Sequence, residues 1–263
     1  MKKNDLLGQC IAEFIGTGLL IFFGVGCVAA LILAGTEFGQ WEISIIWGLG
    51  VSMAIYVTVG VSGAHLNPAV TLALASFKGF DKKKVLPYIL SQIAGAFSST
   101  GLVYYLYRDL FINFEAANKI TRGTLESMAT ARIFSTYPNS LLNNFQAFAV
   151  EIVITTILML TILAVGDDKN GTPKGHMSAI LIGIVVALIG GSLGALTGFA
   201  MNPARDFGAK LFAFVAGWGK IAFTGGLSNP YFWVPILGPI CGTHLGIIIY
   251  DKMIAVNLVN SEK

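Results

Sequence analysis

Charged residues are scarce in this chain, and the distances between them constrain its fold more than any other feature. Only 12% of the 263 residues are Asp, Glu, Lys or Arg, about half the share found in soluble domains. A helix needs roughly 20 residues to cross the apolar core of a bilayer. Four apolar runs, one of which contains a single glutamate, predict one span each: 14–36, 85–107, 145–165 and 231–250. The sequence therefore predicts a membrane protein.

Two further uncharged runs do not fit a single span. Residues 43–77 and 175–204 contain 35 and 30 residues, which is more than one crossing and less than two crossings with a turn. Each run contains one Asn-Pro-Ala motif, and Asn is a preferred helix cap while Pro suits the first helical position. Each motif therefore predicts a helix start. The two motifs are Asn67-Pro68-Ala69 and Asn202-Pro203-Ala204.

A helix that begins at the first motif is too short to span the membrane. From Pro68 to Phe77 it has ten residues, about 15 Å or half of the apolar thickness. Irregular backbone at this depth is tolerated only where it lines a water-filled cavity or is buried in protein. Both motifs thus predict a pore or a binding site near the midplane.

The spans also form an internal repeat of three and a half helices. Asn67 and Asn202 are 135 positions apart, and Glu13 and Glu151 are 138 positions apart. Because three full spans per copy is an odd number, the second copy is expected to be inverted. We predict an all-α membrane protein with six transmembrane helices and two half-helices. Its single channel domain (1–263) divides into repeat 1 at about 6–107, an extracellular connecting loop at about 108–143 and repeat 2 at about 144–255.

The distribution of basic residues predicts the orientation. Ten lysines fall on one side of this topology and six Lys or Arg residues on the other, and the richer side is normally cytoplasmic. We therefore expect a multi-pass protein of the cell (inner) membrane with both termini in the cytoplasm. Lys2 and Lys3 followed by an apolar run resemble a signal peptide, but the run is too long and contains Glu13, so a retained span is expected.

Several functional classes find little support. The net charge of +3 does not suggest a nucleic-acid partner. Cys10, Cys27 and Cys241 lie far apart in apolar stretches, without the spacing of a disulfide framework or metal site. Residues 190–194 match the Gly-x-Ser-x-Gly pattern of hydrolases, but an apolar span without acid and histidine partners favours helix packing. We expect no enzymatic activity, no cofactor and no bound metal.

The residues around both motifs resemble a known family. Residues 12–14 (AEF), 62–71 (SGAHLNPAVT) and 198–208 (GFAMNPARDFG) are similar to the major intrinsic protein (aquaporin) superfamily, and within it to the aquaglyceroporin branch. The resemblance covers nearly the whole chain. It implies the aquaporin-like fold in a lipid bilayer, a homotetramer with one pore per subunit, and glycerol, small polyols and water as permeants.

The resemblance places a selectivity filter at Trp47, Gly190, Phe199 and Arg205. Arg205 keeps its charge and offers five fixed donors, while the two aromatic faces suit the carbon backbone of a polyol. Glycine at 190, where water-selective members have histidine, leaves room for a carbon chain. Taken alone, Trp47 would be interpreted as an interfacial anchor and Phe199 as a core aromatic; together with Arg205 they favour a filter.

The two motif asparagines, Asn67 and Asn202, are expected to cap the half-helices and, by resemblance, to direct amide donors into the pore. The facing half-helix N-termini each carry a partial positive charge, which opposes cations and protons at the midplane. Backbone carbonyls in the loops before the motifs are expected to line the path as acceptors. They belong to Gly63, Ala64, His65, Gly198, Phe199 and Ala200.

Other polar residues have alternative interpretations. Glu13 and Glu151 are either a proton relay or, as we prefer, carboxylates that accept hydrogen bonds from the loop backbone and hold it in place. Asp206 and Lys210 are one helical turn apart and could pair, and by resemblance they mark the glycerol branch. His65 is expected to brace its loop, with gating as the alternative.

The predicted function is a passive channel for glycerol and related small uncharged polyols, with some water, that excludes ions and protons. A water-selective channel on the same fold is the nearest alternative, and it would have a narrower constriction. A secondary transporter is the alternative from another class, because inverted repeats with broken helices also suit alternating access. A purely structural membrane protein is a third.

Overall fold

The computed structural model describes residues 5–170 and 177–258, and within them every regular element is helical. Lys2, Lys3, Lys174 and Lys263, which contribute to the expected orientation, lie outside these ranges. The helices are α1 (Leu6–Leu33), α2 (Gln40–Ser62), α3 (Pro68–Phe77), α4 (Lys82–Leu106), α5 (Arg108–Ala117), α6 (Met128–Ala131), α7 (Asn144–Gly166), α8 (Met177–Thr197), α9 (Pro203–Ala213), α10 (Ile221–Thr224) and α11 (Val234–Ile249).

Five described helices are long and apolar enough to cross a membrane. They are α1, α2, α7, α8 and α11 with its continuation to Asn257. Helix α4 has 25 residues, which is also enough for a span, but it is less apolar because it begins with three lysines and carries polar side chains such as Gln92 inside the protein. The predicted class, an all-α membrane protein, is confirmed.

Helices α1 and α4 begin before the uncharged runs from which they were predicted. Helix α1 begins at Leu6 because the Asp5 carboxylate accepts a hydrogen bond from a first-turn amide at 2.7 Å, and such caps stabilise a helix start. Glu13 therefore lies within α1, where it is fully buried. Helix α4 begins at Lys82 through a similar cap by Asp81. The expectation that charges delimit the spans was wrong at these ends.

The two half-helices begin where their motifs predicted. Helix α3 runs from Pro68 to Phe77, and its cap is the Asn67 side-chain oxygen, which accepts from the Ala69 amide at 2.9 Å. In α9 the Asn202 side chain accepts from the Ala204 amide at 3.0 Å. In both helices the first position is proline, which needs no amide partner there.

The two halves meet where α2 crosses α8. A Cβ atom on Gly48 would lie 2.3 Å from the Gly183 carbonyl oxygen, so the backbones touch. The Ser52 hydroxyl donates to the Ala179 carbonyl at 3.0 Å across the same contact. Helix α3 packs against α11, and α9 packs against α4. Each half-helix thus lies against the last long helix of the other half, which brings the two motifs together.

The connection between the halves, expected to be a loop, contains helices α5 and α6. Its organising residue is Arg122, which donates to the Glu115 carboxylate at 3.0 Å and to the Tyr104 hydroxyl at 2.9 Å. The Arg122 guanidinium also lies 4.1 Å from the Trp218 ring centroid. Phe111 of α5 is fully buried, and its ring centroid lies 6.0 Å from that of Trp218. An apolar side chain and a paired arginine therefore fasten this segment to the ends of the long helices.

Candidate functional site

The loops before α3 and α9 share an unusual backbone. The same three positions adopt positive φ in each loop, at Gly63, Ala64, Leu66, Gly198, Phe199 and Met201. Such values cost energy outside glycine and persist only where surrounding contacts enforce them. Within the described ranges, the carbonyl oxygens of residues 63–65 and 198–200 accept no hydrogen bond from the protein. They remain available to a permeant.

Glu13 lies behind the first loop and binds its backbone. Its carboxylate accepts from the amide of His65 at 2.9 Å and from that of Leu66 at 2.7 Å. The Ser62 hydroxyl donates to it at 2.6 Å and the Gln92 side-chain amide at 2.7 Å. Charged acceptors make strong bonds to buried donors, so these contacts can hold the loop in its strained conformation.

Glu151 has the same relation to the second loop. Its carboxylate accepts from the amides of Ala200 at 3.1 Å and Met201 at 2.9 Å, and from the Thr197 hydroxyl at 2.7 Å. It is fully buried. Both glutamates therefore receive a hydroxyl and two successive loop amides at equivalent positions.

The motif asparagines join the two loops to each other. The Asn67 side-chain amide donates to the Met201 carbonyl at 2.8 Å, and the Asn202 amide donates to the Leu66 carbonyl at 2.7 Å. Because a side-chain amide has two N–H donors, each asparagine retains one for another partner. The sequence did not reveal this reciprocal bond, since it joins residues that are far apart in the chain.

Two cavities approach each other through the molecule. One, which we call the inner cavity, has a volume of about 220 Å³ and contains both motif asparagines in its wall. The other, which we call the outer cavity, has a volume of about 350 Å³ and is lined in part by Thr136 of the connection between the halves. Trp47, Phe199 and Arg205 line both cavities. These three predicted filter residues thus lie together at the junction of the cavities.

The junction combines two aromatic faces with a cation. The rings of Trp47 and Phe199 are nearly perpendicular, at 80°, with centroids 6.2 Å apart. The Arg205 guanidinium carbon lies 4.2 Å from the Trp47 ring centroid. Arg205 is 7% exposed, and its Nη1 has no hydrogen-bond partner among the described residues. Nη1 of Arg205 is therefore a buried donor that can bind a hydroxyl oxygen. Beside it, the rings of Trp47 and Phe199 offer two apolar faces against which carbon atoms can pack.

Two glycines shape this junction from behind. A Cβ atom on Gly190 would lie 3.0 Å from Cζ of Phe199 and 2.6 Å from the Ser44 hydroxyl, so Gly190 touches the filter through Phe199. A Cβ atom on Gly24 would lie 2.3 Å from the Trp47 ring. Gly24 was missed in the sequence because its role depends on a contact between α1 and α2.

Asp206 and Lys210 form a fully buried ion pair beside the outer cavity. The pair also binds Thr136, whose amide and hydroxyl donate to the Asp206 carboxylate at 2.8 and 2.7 Å. The Lys210 ammonium donates to the Thr136 carbonyl at 2.9 Å. Thr136 lines the outer cavity, so this pair positions part of the cavity wall.

His65 lines the inner cavity. Its Nδ1 lies 3.1 Å from the Thr71 hydroxyl, and its ring contacts Phe80 and Tyr88 at centroid distances of 4.5 and 5.2 Å. These contacts fit a side chain that braces the loop. Across residues 5–170 and 177–258, no three His, Cys, Asp or Glu side chains come together as possible metal ligands.

Comparison with known proteins agrees with this architecture. Residues 1–250 match the family described as Major intrinsic protein. The chain is 64% identical over 257 residues to the glycerol uptake facilitator protein of Escherichia coli K12, covering 98% of this chain and 92% of that protein. It is 58% identical over 256 residues to the propanediol uptake facilitator of Citrobacter freundii, covering 97% and 95%.

A solved structure shows the same fold. The aquaglyceroporin from Plasmodium falciparum superposes with a TM-score of 0.85 at 34% identity, covering 96% of this chain and 98% of that one. The similarity in sequence and in structure extends over nearly the full length. The chain therefore belongs to the major intrinsic protein family.

Proposed function

We propose that this protein is a passive channel for glycerol and related small uncharged polyols, with some water, and that it excludes ions and protons. The relatives described above are named for glycerol and propanediol uptake, and both solutes are small polyols. The observation that carries the proposal is that Trp47, Phe199 and Arg205 line both cavities at their junction. It is a channel, and the relatives named above are facilitators, not enzymes.

At the junction, contacts with the protein can replace the hydrogen bonds to water that a polyol loses on entry. Its carbon backbone lies against Trp47 and Phe199, while a hydroxyl oxygen accepts from Nη1 of Arg205. Its hydroxyl hydrogens can bond to the free carbonyls of residues 198–200. In the inner cavity, the remaining side-chain N–H of Asn67 and that of Asn202 can each donate to a hydroxyl oxygen of the solute. Channels conduct when such contacts compensate dehydration without holding the solute tightly.

Cations meet an unfavourable potential along the same path. Each half-helix N-terminus carries about half a positive charge, and both begin at the asparagines in the inner cavity. Arg205 adds a full charge at the junction, and the neighbouring Asp206 is already paired with Lys210. This electrostatic barrier does not oppose uncharged solutes.

The filter assignment is tested by replacing both Gly190 and Phe199 with histidine. The double variant should narrow the junction and lower glycerol flux far more than water flux in proteoliposomes, measured by stopped-flow light scattering. Phe145→His, at a position that is 80% exposed, is the control and should change neither flux. Equal losses of glycerol and water flux in the double variant would show that the assignment is wrong.

The two alternative functions differ in measurable ways. A water-selective channel would conduct water without glycerol in the unmodified protein. A secondary transporter would show saturable uptake that depends on an ion or proton gradient. We expect glycerol uptake that is linear in concentration and unchanged when gradients are collapsed.

We further propose a cell (inner) membrane location, cytoplasmic termini and a homotetramer with one pore per subunit. The bias of basic residues supports the orientation. The matching contacts of Glu13 and Glu151 support repeats at about 6–107 and 144–255, joined by an external connection at about 108–143. Labelling of a single cysteine at Ser140 in intact cells by an impermeant maleimide, with Cys10, Cys27 and Cys241 replaced by serine, tests the orientation. Native mass spectrometry tests the tetramer.

A further inference from the structure

The outer cavity has two arginines in its wall. Arg132 lines it from the connection between the halves, and Arg205 of α9 lines it at the junction with the inner cavity. Among the residues that the structure describes, the wall of this cavity contains no Asp or Glu. A cleft with a single sign of charge raises the local concentration of small ions of the opposite sign. The outer cavity is therefore suited to an anion.

The donors of both arginines are free for a ligand. Within residues 5–170 and 177–258, neither guanidinium donates a hydrogen bond to a carboxylate or carbonyl of the protein. Arg132 is exposed, whereas Arg205 is buried and lies over the Trp47 ring. A guanidinium is a planar fork of donors that matches the oxygens of a phosphate or carboxylate. Each arginine can thus bind an anionic oxygen without losing a bond to the protein.

The two carboxylates that act on Arg205 through space, those of Asp206 and Glu151, are engaged by other donors. Asp206 is paired with Lys210. Glu151 accepts from the Thr197 hydroxyl and from two loop amides. Both carboxylates therefore favour the charged form of Arg205 but leave its donors to the cavity.

We infer that the outer cavity is a binding site for the phosphate monoester of a small polyol, which occupies the entrance of the filter and blocks it. This inference rests on the proposed polyol channel. The phosphate group accepts from Arg132 and Arg205, while the carbon chain lies against Trp47 and Phe199, which line the same cavity. A charged derivative of the permeant then competes with the permeant for the entrance.

The phosphate group also explains why such a ligand binds without crossing. Beyond Arg205 the path offers the free carbonyl oxygens of residues 198–200, which are acceptors. An ionised phosphate oxygen is an acceptor as well, so it would lose its hydration there without gaining a hydrogen bond. A neutral polyol can donate to the same carbonyls and move on.

The test measures glycerol flux into proteoliposomes by stopped-flow light scattering, with glycerol phosphate on both sides of the bilayer. Potassium chloride at equal ionic strength and osmolality is the reference. Two charge-assisted hydrogen bonds predict half-inhibition at about 1 mM glycerol phosphate. Inorganic phosphate lacks the carbon chain and should need a concentration about threefold higher or more, because it buries no CH₂ group against the rings.

Arg132→Gln removes one of the two charge-assisted contacts and should raise the half-inhibitory concentration about three- to tenfold. Each variant is compared with its own flux in chloride, so a change in basal conduction does not affect the result. Arg108→Gln is the matched control. Arg108 is exposed in the same connection and lines neither cavity, so this change should leave inhibition as it is in the unmodified protein.

Undiminished glycerol flux of the unmodified protein in glycerol phosphate would overturn the inference. So would inhibition that is weakened equally by Arg132→Gln and Arg108→Gln, or inhibition by inorganic phosphate at the same concentration as by glycerol phosphate. Failure of the proposed function is a different result, since the unmodified protein would then not conduct glycerol in chloride alone.

Discussion

The guanidinium carbon of Arg205 lies 4.2 Å from the centroid of the Trp47 ring, at the junction of the two cavities. A cation over an aromatic face is stabilised by the ring quadrupole, by about 2 kcal/mol when both groups are desolvated. Trp47 also lines both cavities, so the part of its ring that does not contact Arg205 can face the solute path. Trp47 therefore supports Arg205 and forms a wall of the junction at once.

Trp47→Ala should remove both roles. We expect the junction to widen and Arg205 to lose its support, so that uptake of five-carbon polyols rises relative to that of glycerol. Stopped-flow measurements on proteoliposomes give this ratio. Trp41→Ala is a matched control in the same helix, because Trp41 is 51% exposed. An unchanged ratio in Trp47→Ala would show that the ring does not limit solute size.

Glu151→Gln should destabilise the second loop. One of the carboxylate oxygens becomes an NH₂ group, which cannot accept a hydrogen bond, so either the Ala200 or the Met201 amide loses its acceptor. A buried amide without a partner costs about 1–3 kcal/mol. We expect a lower melting temperature in detergent together with reduced glycerol flux. Glu37→Gln, at an exposed position, is the control. Normal stability and flux in Glu151→Gln would mean that the loop does not need the carboxylate.

The buried pair of Asp206 and Lys210 should show strong coupling. Lys210→Met leaves the Asp206 charge buried without its partner, which costs about 3–5 kcal/mol. Combining it with Asp206→Leu removes both charges, and the remaining cost comes from the Thr136 amide, hydroxyl and carbonyl, which lose their partners in the pair. A buried polar group left without a partner costs about 1–3 kcal/mol. Thermal unfolding of the three variants completes the cycle. If the single changes simply add, the pair is not coupled.

Gly48→Ala should prevent the two halves from packing. Its Cβ atom would lie 2.3 Å from the backbone oxygen of Gly183, and backbone cannot move away as a flexible side chain can. We expect loss of folded protein on gel filtration. Gly60→Ala in the same helix has no atom within 4 Å of the added Cβ and should be tolerated. Equal behaviour of the two variants would contradict the close contact.

The parts of this fold that depend on local chemistry could be predicted from the sequence. The starts of α3 and α9 follow from an asparagine cap and a proline, both of which act within one helical turn. The membrane class follows from the spacing of charges. The N-terminal starts of α1 and α4 could not be predicted from that spacing. Their caps, Asp5 and Asp81, are themselves charged and lie outside the uncharged runs.

The contacts that assemble the site lie beyond such reasoning. Gly24 makes room for the Trp47 ring across two helices, and Thr136 reaches the ion pair of α9 from the connection between the halves. No local pattern distinguishes Gly24 from the many other glycines of the chain. Such pairings become visible only when the helices have been placed against each other.

The reciprocal bonds of the motif asparagines have a consequence for biosynthesis. Asn67 donates to the carbonyl of Met201, a residue translated more than 130 codons later. The first loop therefore enters the bilayer before its bonding partner exists. Until then the loop and its half-helix have only the contacts of their own half, such as those from Glu13 to the loop and from Gln92 to Thr71. The contact between the two loops, and with it the conduction path, can therefore form only after the second half of the chain has been made.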